Sequence, residues 1–365
     1  MRGRVPRLAS RTRPATFPAC RVVKIWGSGS GPEGDDPAAR APGAPDAETL
    51  DALQREGIDL DPESSSHRHP HAQSEPGEPP VTGIVGAGAV GTALGAALHR
   101  AGWPVAAVAS RDEANRERFR SFVPGARGFA EANALLDEVE LIVLAVPDDV
   151  IAGLAGELRM YSGQAMIHTS GALGADVLEP ARAAGTEIGS FHPLVAFADT
   201  ERAVAALHGA TIAIEGDEQL ATLLAEMADA VGATAVRLAP GTKAAYHAAA
   251  VLAAGGFVAL LDAIAELGRV AGLDESGSLA IYGGLIEQTL GNARALGIQR
   301  ALTGPMTRGD LGTLARHLEV LGRHAPDVLP LYRAAAEREI ALAEGRGSVS
   351  STTANALRLV LATPM

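Results

Sequence analysis

Two lysines, Lys24 and Lys243, stand among 29 arginines in this 365-residue chain. Where any cation would serve, the sequence uses arginine. A lone lysine in the apolar part of the chain therefore points to a task that a guanidinium cannot perform, such as giving up a proton. His247 follows four residues later and shares a helix face with Lys243. The plainer alternative makes Lys243 a surface cation and His247 a satisfied core histidine. The single cysteine, Cys20, can form neither an internal disulfide nor a thiolate cluster, which suits a reducing cytosol and a cytoplasmic protein. His67, His69 and His71 alternate in a flexible polar segment that offers no second shell, so no metal is expected.

A second constellation is built from glycine. Val81 to Val85 is a short apolar run, Gly86-Ala87-Gly88-Ala89-Val90-Gly91 follows, and Thr92 to Ala101 reads as a helix rich in Ala and Leu. In this strand, turn and helix the first glycine permits a tight turn, the second lets a pyrophosphate approach the backbone, and the third lets helix and strand pack closely. The N-terminus of that helix then faces the phosphates, with Ala89 and Val90 in the turn ahead of it. A strand at Val105 to Ala109 ends in Ser110-Arg111, where a site selective for NAD would place an acid. A hydroxyl and a guanidinium suit a 2′-phosphate instead, which favours NADP. In the alternative, Ser110 caps the next helix and Asp112 turns inward.

These candidates need elements to hold them. Apolar runs at Leu141 to Val146, Gln164 to His168, Ile188 to Phe191, Ala210 to Glu215 and Thr234 to Leu238 read as further strands. With the intervening helices they predict a doubly wound α/β sheet of about eight strands over residues 81–240. Ligands of such sheets bind beyond the carboxyl ends of the strands, where Val146, Pro147, Thr169, Ser170, Gly171 and His192 lie. Residues 241–346 read as helices only. Lys243 to about Val270 is predicted as one long helix, and Asp274, Asp310 and Asp327 cap three more. Ala244 to Leu261 carries no Asp, Glu, Lys or Arg over 18 residues, though it contains Tyr246 and His247, and is expected to be buried at a domain or dimer core rather than in a membrane. Small residues from Ala249 to Gly256, with Val251, Leu252, Phe257 and Val258 beside them, predict a homodimer through the helical domain.

Composition narrows the class. With 31 basic and 43 acidic residues, and no basic stretch interleaved with aromatics, a nucleic-acid partner is not expected. Residues 1–80 hold 12 of the 22 prolines and read as a disordered tail. Its first 25 residues resemble a targeting peptide in charge alone, since Pro6, Pro14 and Pro18 would break the helix such a peptide needs. Residues 347–365 are expected as a C-terminal tail.

Taken together, Gly86 to Gly91, Ala145-Val146-Pro147-Asp148, His168 to Gly174, Gly189 to Leu194, Lys243 to His247 and Leu302-Thr303-Gly304-Pro305 resemble a known family. It is that of Rossmann-like proteins with an all-helical C-terminal domain of unknown function (DUF2520), related to the NADP-linked ketopantoate, pyrroline-5-carboxylate and β-hydroxyacid reductases. The resemblance covers about residues 81–345. It implies a Rossmann-type sheet, an all-α domain and NADPH-dependent reduction of a small 2-keto acid, ketopantoate foremost. Lys243 matches the catalytic lysine of β-hydroxyacid dehydrogenases, and His247 stands where that family has Asn. Gly189 to Leu194 is similar to the Gly-Ser-His-Pro string of prephenate dehydrogenases, whose histidine contacts substrate, which makes His192 a catalytic candidate. Thr169, Ser170 and Gly171 are then candidates for the substrate carboxylate. Thr303 sits where pyrroline-5-carboxylate reductases carry a Pro-Gly-Gly-Thr loop. Imine reduction, or NADP(H) binding without chemistry, are the other readings.

Overall fold

The computed structural model of the protein describes residues 74, 75 and 77–364. The readings of Cys20, Lys24, the targeting charge and the histidine tract, and most of the expected tail, lie outside the described residues. The end of that expected tail is tied to the fold. Ser74 Oγ donates to Glu140 Oε1 at 3.2 Å, and Val81 N–H to Glu140 Oε2 at 2.8 Å.

The chain divides into two compact units, one ending at Ala248 and one beginning at Ala249. The first unit runs β1 (Thr82–Val85), α1 (Ala89–Arg100), β2 (Val105–Ala109), α2 (Glu113–Phe122), β3 (Arg127–Phe129), β4 (Leu141–Leu144), α3 (Asp148–Glu157) and β5 (Ala165–His168). It continues through β6 (Glu187–Pro193), α4 (Thr200–Leu207), β7 (Thr211–Gly216), α5 (Glu218–Ala230) and β8 (Thr234–Arg237) to the start of α6 (Lys243–Ala253). The sheet order is β3-β2-β1-β4-β5-β6-β7-β8, with every neighbouring pair parallel except β6 and β7.

The strands read as continuous apolar runs because both faces are covered. Ile84, Val108, Val143 and Ile167 pack with Leu94 of α1 and Leu224 of α5 on one face, while Val85, Ala109, Leu144 and Met166 pack with Ile151 of α3 and Leu178 on the other. Each fully buried Leu, Ile or Val contributes about 1.5–3 kcal/mol. β3 escaped the sequence reading because Arg127-Gly128-Phe129 is short and largely exposed, pairing only with β2 at the sheet edge.

The second unit contains α7 (Gly255–Val270), α8 (Glu275–Leu296), α9 (Ile298–Ala301), α10 (Leu311–His324), α11 (Leu329–Gly345) and α12 (Ser351–Leu361). Asp274 and Asp310 cap α8 and α10 as expected, accepting from Gly277 N and Thr313 N. Three expectations are corrected. The single helix from Lys243 to Val270 is two helices, broken at Ala254 (φ −106°, ψ −87°) ahead of the Gly255-Gly256 pair, a common site of helix kinks. Asp327 does not cap α11; it lies in a 3₁₀ turn, Pro326–Val328, that leads into the helix. Residues 347–365 are no tail, since Ser350 caps α12 and Ala354, Leu357 and Leu361 join Leu314, Leu318 and Ile340 in the core of this unit.

The apolar segment is also less covered than expected within one chain. Leu252 is 72% exposed and Val258 63%, and on α8 Ile281 and Leu285 are 58% and 59% exposed. Lys243–Val270 is long and apolar enough to cross a membrane. In its first turn Lys243 is buried against Ser190 and Glu215 of the sheet, while Ala244 and Ala245 are exposed.

Candidate functional site

The chain leaves β1 and turns at Gly86, where φ is +107° and a Cβ would lie 2.2 Å from Ala145 O. At Gly91 a Cβ would come within 2.0 Å of Gly86 O, so helix and turn can touch only through glycine. Gly88 differs, because nothing lies within 4 Å of the place its Cβ would take. It is the N-cap of α1, with no side-chain cap and no acid in the first turn. The open approach and the positive helix end, where Ala89 and Val90 begin the helix, fit a pyrophosphate. Val146 borders the turn, its Cγ1 lying 3.0 Å from the Cβ position of Gly86, and Pro147 is the N-cap of α3.

At the end of β2, Asp112 is committed to its own helix, accepting from Ala114 N at 2.9 Å and Asn115 N at 3.3 Å. This removes Ser110 as the cap and Asp112 as an inward acid. Arg116 shapes the loop by donating to Ser110 O at 2.6 Å and Arg111 O at 3.2 Å, and the Arg111 side chain is exposed. Arg118 donates to Ala87 O in the glycine turn at 3.2 Å. Three guanidinium-bearing residues thus gather where an adenosine ribose would sit, two of them unmarked by any motif.

The other end of the sheet is organised by strand register. Ala109, Val85, Leu144, His168, Ser190 and Glu215 are successive Cα partners across β2, β1, β4, β5, β6 and β7. Partners in a ladder share a face, so one row changes from apolar to polar as it crosses from β4 to β5. Lys243 of α6 closes the row. Its Nζ donates to Ser190 Oγ and lies 3.4 Å from Glu215 Oε2, while Ser190 Oγ donates to the same Glu215 oxygen at 3.1 Å. Lys243 is 2% exposed and Glu215 9%. Burial pulls the Lys243 amine below the ordinary lysine range, and the charges of Glu215 and Asp148 oppose that fall.

The loop after β5 is fixed by the same residues. His168 Nε2 meets Gly174 O at 3.0 Å, its Nδ1 accepts from Ser170 N at 3.2 Å, and Glu215 Oε2 accepts from Ala175 N at 3.1 Å. Ser170 Oγ donates to Asp148 Oδ2 at 2.9 Å and accepts from Ala172 N and Leu173 N. Thr169 Oγ1 donates to Leu144 O at 3.4 Å. Both hydroxyls expected to meet a substrate are thus engaged in building the loop.

At the crest of the loop a Cβ on Gly171 would lie 2.3 Å from His247 Nδ1 and 2.6 Å from His192 Nε2. The two imidazoles stand 5.7 Å apart edge to face, and Tyr246 packs against His192 at 5.8 Å in the same manner. His192 Nδ1, His247 Nδ1 and Tyr246 Oη are buried without a hydrogen-bond partner, three polar atoms free for a ligand. Burial, with the Lys243 charge behind it, lowers His192 to about 4, and His168 falls to about 4 for the same two reasons. Both rings are neutral near pH 7. Burial raises the Tyr246 phenol.

The structure therefore gathers Lys243, His247, His192 and Gly171, and separately Gly86 to Gly91 with Val146 and Pro147. Thr303 stands in the second unit, in the loop after α9. Glu215, Ser190, His168, Tyr246 and Asp148 were not singled out from sequence. Glu215 had one signal, as the lone acid closing an apolar strand.

Sheet order and glycine turn define a Rossmann-like protein, and the Rossmann-like domain family matches residues 69–193. The domain of unknown function DUF2520 matches residues 210–339, so the chain is a Rossmann-like domain joined to a DUF2520 domain. A Bacteroides fragilis protein assigned as an NADP oxidoreductase is similar at 22% identity over 72% of this chain and 98% of its own, with a TM-score of 0.60. A Thermotoga maritima protein is similar at 24% over 73% and 99%, with a TM-score of 0.57. A reductive aminase from Aspergillus terreus, in complex with NADPH and ethyl levulinate, is similar at 19% over 77% and 99%, with a TM-score of 0.58. At these identities the likeness is one of fold. No curated protein matches the sequence.

Proposed function

We propose that the protein is a cytoplasmic NADPH-dependent reductase of a small 2-keto acid, ketopantoate being the first candidate. The observation that carries this is a buried lysine, Lys243, seated on Ser190 and Glu215 in the same unit as an open glycine turn. A buried ion pair adds little net stability over apolar packing, so its retention suits chemistry better than folding.

Gly86, Gly88, Ala89, Val90 and Gly91 would hold the pyrophosphate, Ser110 and Arg111 the 2′-phosphate, and Val146 and Pro147 would border the cofactor. When bound, NADPH supplies a hydride. Lys243 holds a proton on an amine whose charged form burial disfavours, so it releases that proton more readily than a solvated lysine and stabilises charge developing on the substrate oxygen. His192 and His247, packed against Gly171, orient the substrate through their free ring nitrogens. Thr169 and Ser170 keep the loop that carries Gly171 in place.

Imine reduction is the second reading, and one observation favours it. Glu215 offsets the Lys243 charge and Asp148 adds a carboxylate at Ser170, so the site offers no surplus cation to a substrate carboxylate. The imine reductase of Aspergillus terreus, in complex with NADPH4 and dibenz[c,e]azepine, which carries no carboxylate, shares the fold. A panel of keto acids and cyclic imines, followed by NADPH absorbance, decides between the two. Turnover of a keto acid supports the first reading, turnover of imines alone the second, and turnover of neither points to NADP(H) binding without chemistry.

The active form is a homodimer through the helical unit, supported by the exposed Leu252, Val258, Ile281 and Leu285. Light scattering at micromolar concentration tests it, and a monomeric mass contradicts it.

A further inference from the structure

Glu215 Oε2 is the meeting point of three donors from three parts of the first unit: Lys243 Nζ at the start of α6, Ser190 Oγ on β6 and Ala175 N at the end of the loop after β5. That loop carries Gly171, against which His192 and His247 pack. We propose that Glu215 is a positioning residue, one carboxylate oxygen that seats the Lys243 amine on Ser190 and ties it to the loop presenting Gly171 to the two histidines. The proposal deepens the reductase reading and rests on it only for the consequence in catalysis.

The chemistry follows from the surroundings of the amine. Glu215 on β7 is its nearest charge, Asp148 on α3 is a second carboxylate, and His168 on β5 and His192 on β6 are neutral near pH 7. Burial acts against the ammonium, and the carboxylates act for it. Glu215 therefore keeps Lys243 charged at the pH where a proton must be given. A glutamine at this position keeps one oxygen for the same three donors, puts an amide NH2 in place of the other oxygen and removes the charge.

The composition of the chain supplies a direct probe. With only two lysines, Lys24 and Lys243, protein labelled with 13C at lysine Cε gives two side-chain signals, assigned by Lys243→Met. Titrating full-length parent and Glu215→Gln protein reads the Lys243 amine without any need for turnover. The proposal expects Lys243 to lose its proton about one pH unit or more lower in Glu215→Gln, the usual scale for removing an adjacent opposite charge. Ser190→Ala, which deletes a hydrogen bond and no charge, should move it less. The alkaline limb of kcat/KM should shift downward by a matching amount in Glu215→Gln, with NADPH affinity within a few-fold of the parent. If Glu215→Gln does not fold, Glu215→Asp carries the same test, because it draws the carboxylate back from the amine and should move the Lys243 titration in the same direction by less. A Lys243 titration unchanged by Glu215→Gln, or by Glu215→Asp where the amide variant does not fold, overturns the proposal. Absence of turnover in the parent would contradict the reductase reading and leave the lysine titration to decide on Glu215.

Discussion

The two ends of one sheet are built by different means. Around β1 and β2 the site is made of backbone: three glycines within six residues, a helix start and a short loop, all contiguous in the chain. Around β5, β6 and β7 it is made of side chains, His168, Ser190 and Glu215, that meet only because of how strands pair. The first end can bind and orient, having bare amides and no titratable group in the turn. The second can hold and move a proton, having a buried amine, a carboxylate and neutral imidazoles within reach of one loop. Binding and chemistry are thereby assigned to separate regions, and each can be perturbed alone.

The largest effect expected is at the second end. Lys243→Met should lower turnover by roughly 10²- to 10⁴-fold, the usual range for a positioned general acid, measured as single-turnover NADPH oxidation. Lys243→Arg should not rescue it, because a guanidinium with pKa above about 12 keeps its proton. At the first end, Gly86→Ala should cost about 3 kcal/mol in urea unfolding and abolish NADPH binding, since the new Cβ meets Ala145 O at 2.2 Å with φ at +107°.

An acid titration separates the two ends by stability. His168 is held neutral down to about 4, against an ordinary 6.5, so between these values the unfolded chain binds a proton that the folded chain refuses. Stability should therefore fall as pH drops from 6.5 to 4, by about 3 kcal/mol from this residue alone. His192 acts in the same window and direction. His168→Gln should flatten the slope of the urea midpoint, while Gly86→Ala should lower the midpoint without changing its slope. The smallest effect is at the adenosine end, where Arg111→Ala should weaken NADPH by about 2 kcal/mol, the worth of one charge-assisted hydrogen bond, and leave NADH nearly unchanged.

This division also governs what could be read in the sequence. Gly86, Gly88 and Gly91 follow an apolar run and precede a helix, so spacing alone located them. Glu215 could not be located that way. It lies 28 residues before Lys243 and 25 after Ser190, and only the antiparallel pairing of β6 with β7 brings it to Ser190. Lys243 was visible through its rarity, a compositional signal independent of fold. The Ala254 break was harder to see because an Ala and Gly-rich run satisfies helix periodicity on either side of it. α12 was missed because Arg346 to Ser350 reads as a chain end, whereas Leu357 and Leu361 had a core to join.

The central claim is that cofactor binding and proton handling belong to opposite ends of the sheet. The most direct test measures NADPH affinity by fluorescence titration and the single-turnover rate at saturating NADPH, both on Arg111→Ala and Lys243→Met. A crossed result is predicted, with Arg111→Ala losing affinity at a nearly unchanged rate and Lys243→Met losing rate at a nearly unchanged affinity. Loss of the same parameter in both variants, or full turnover in Lys243→Met, would contradict the assignment.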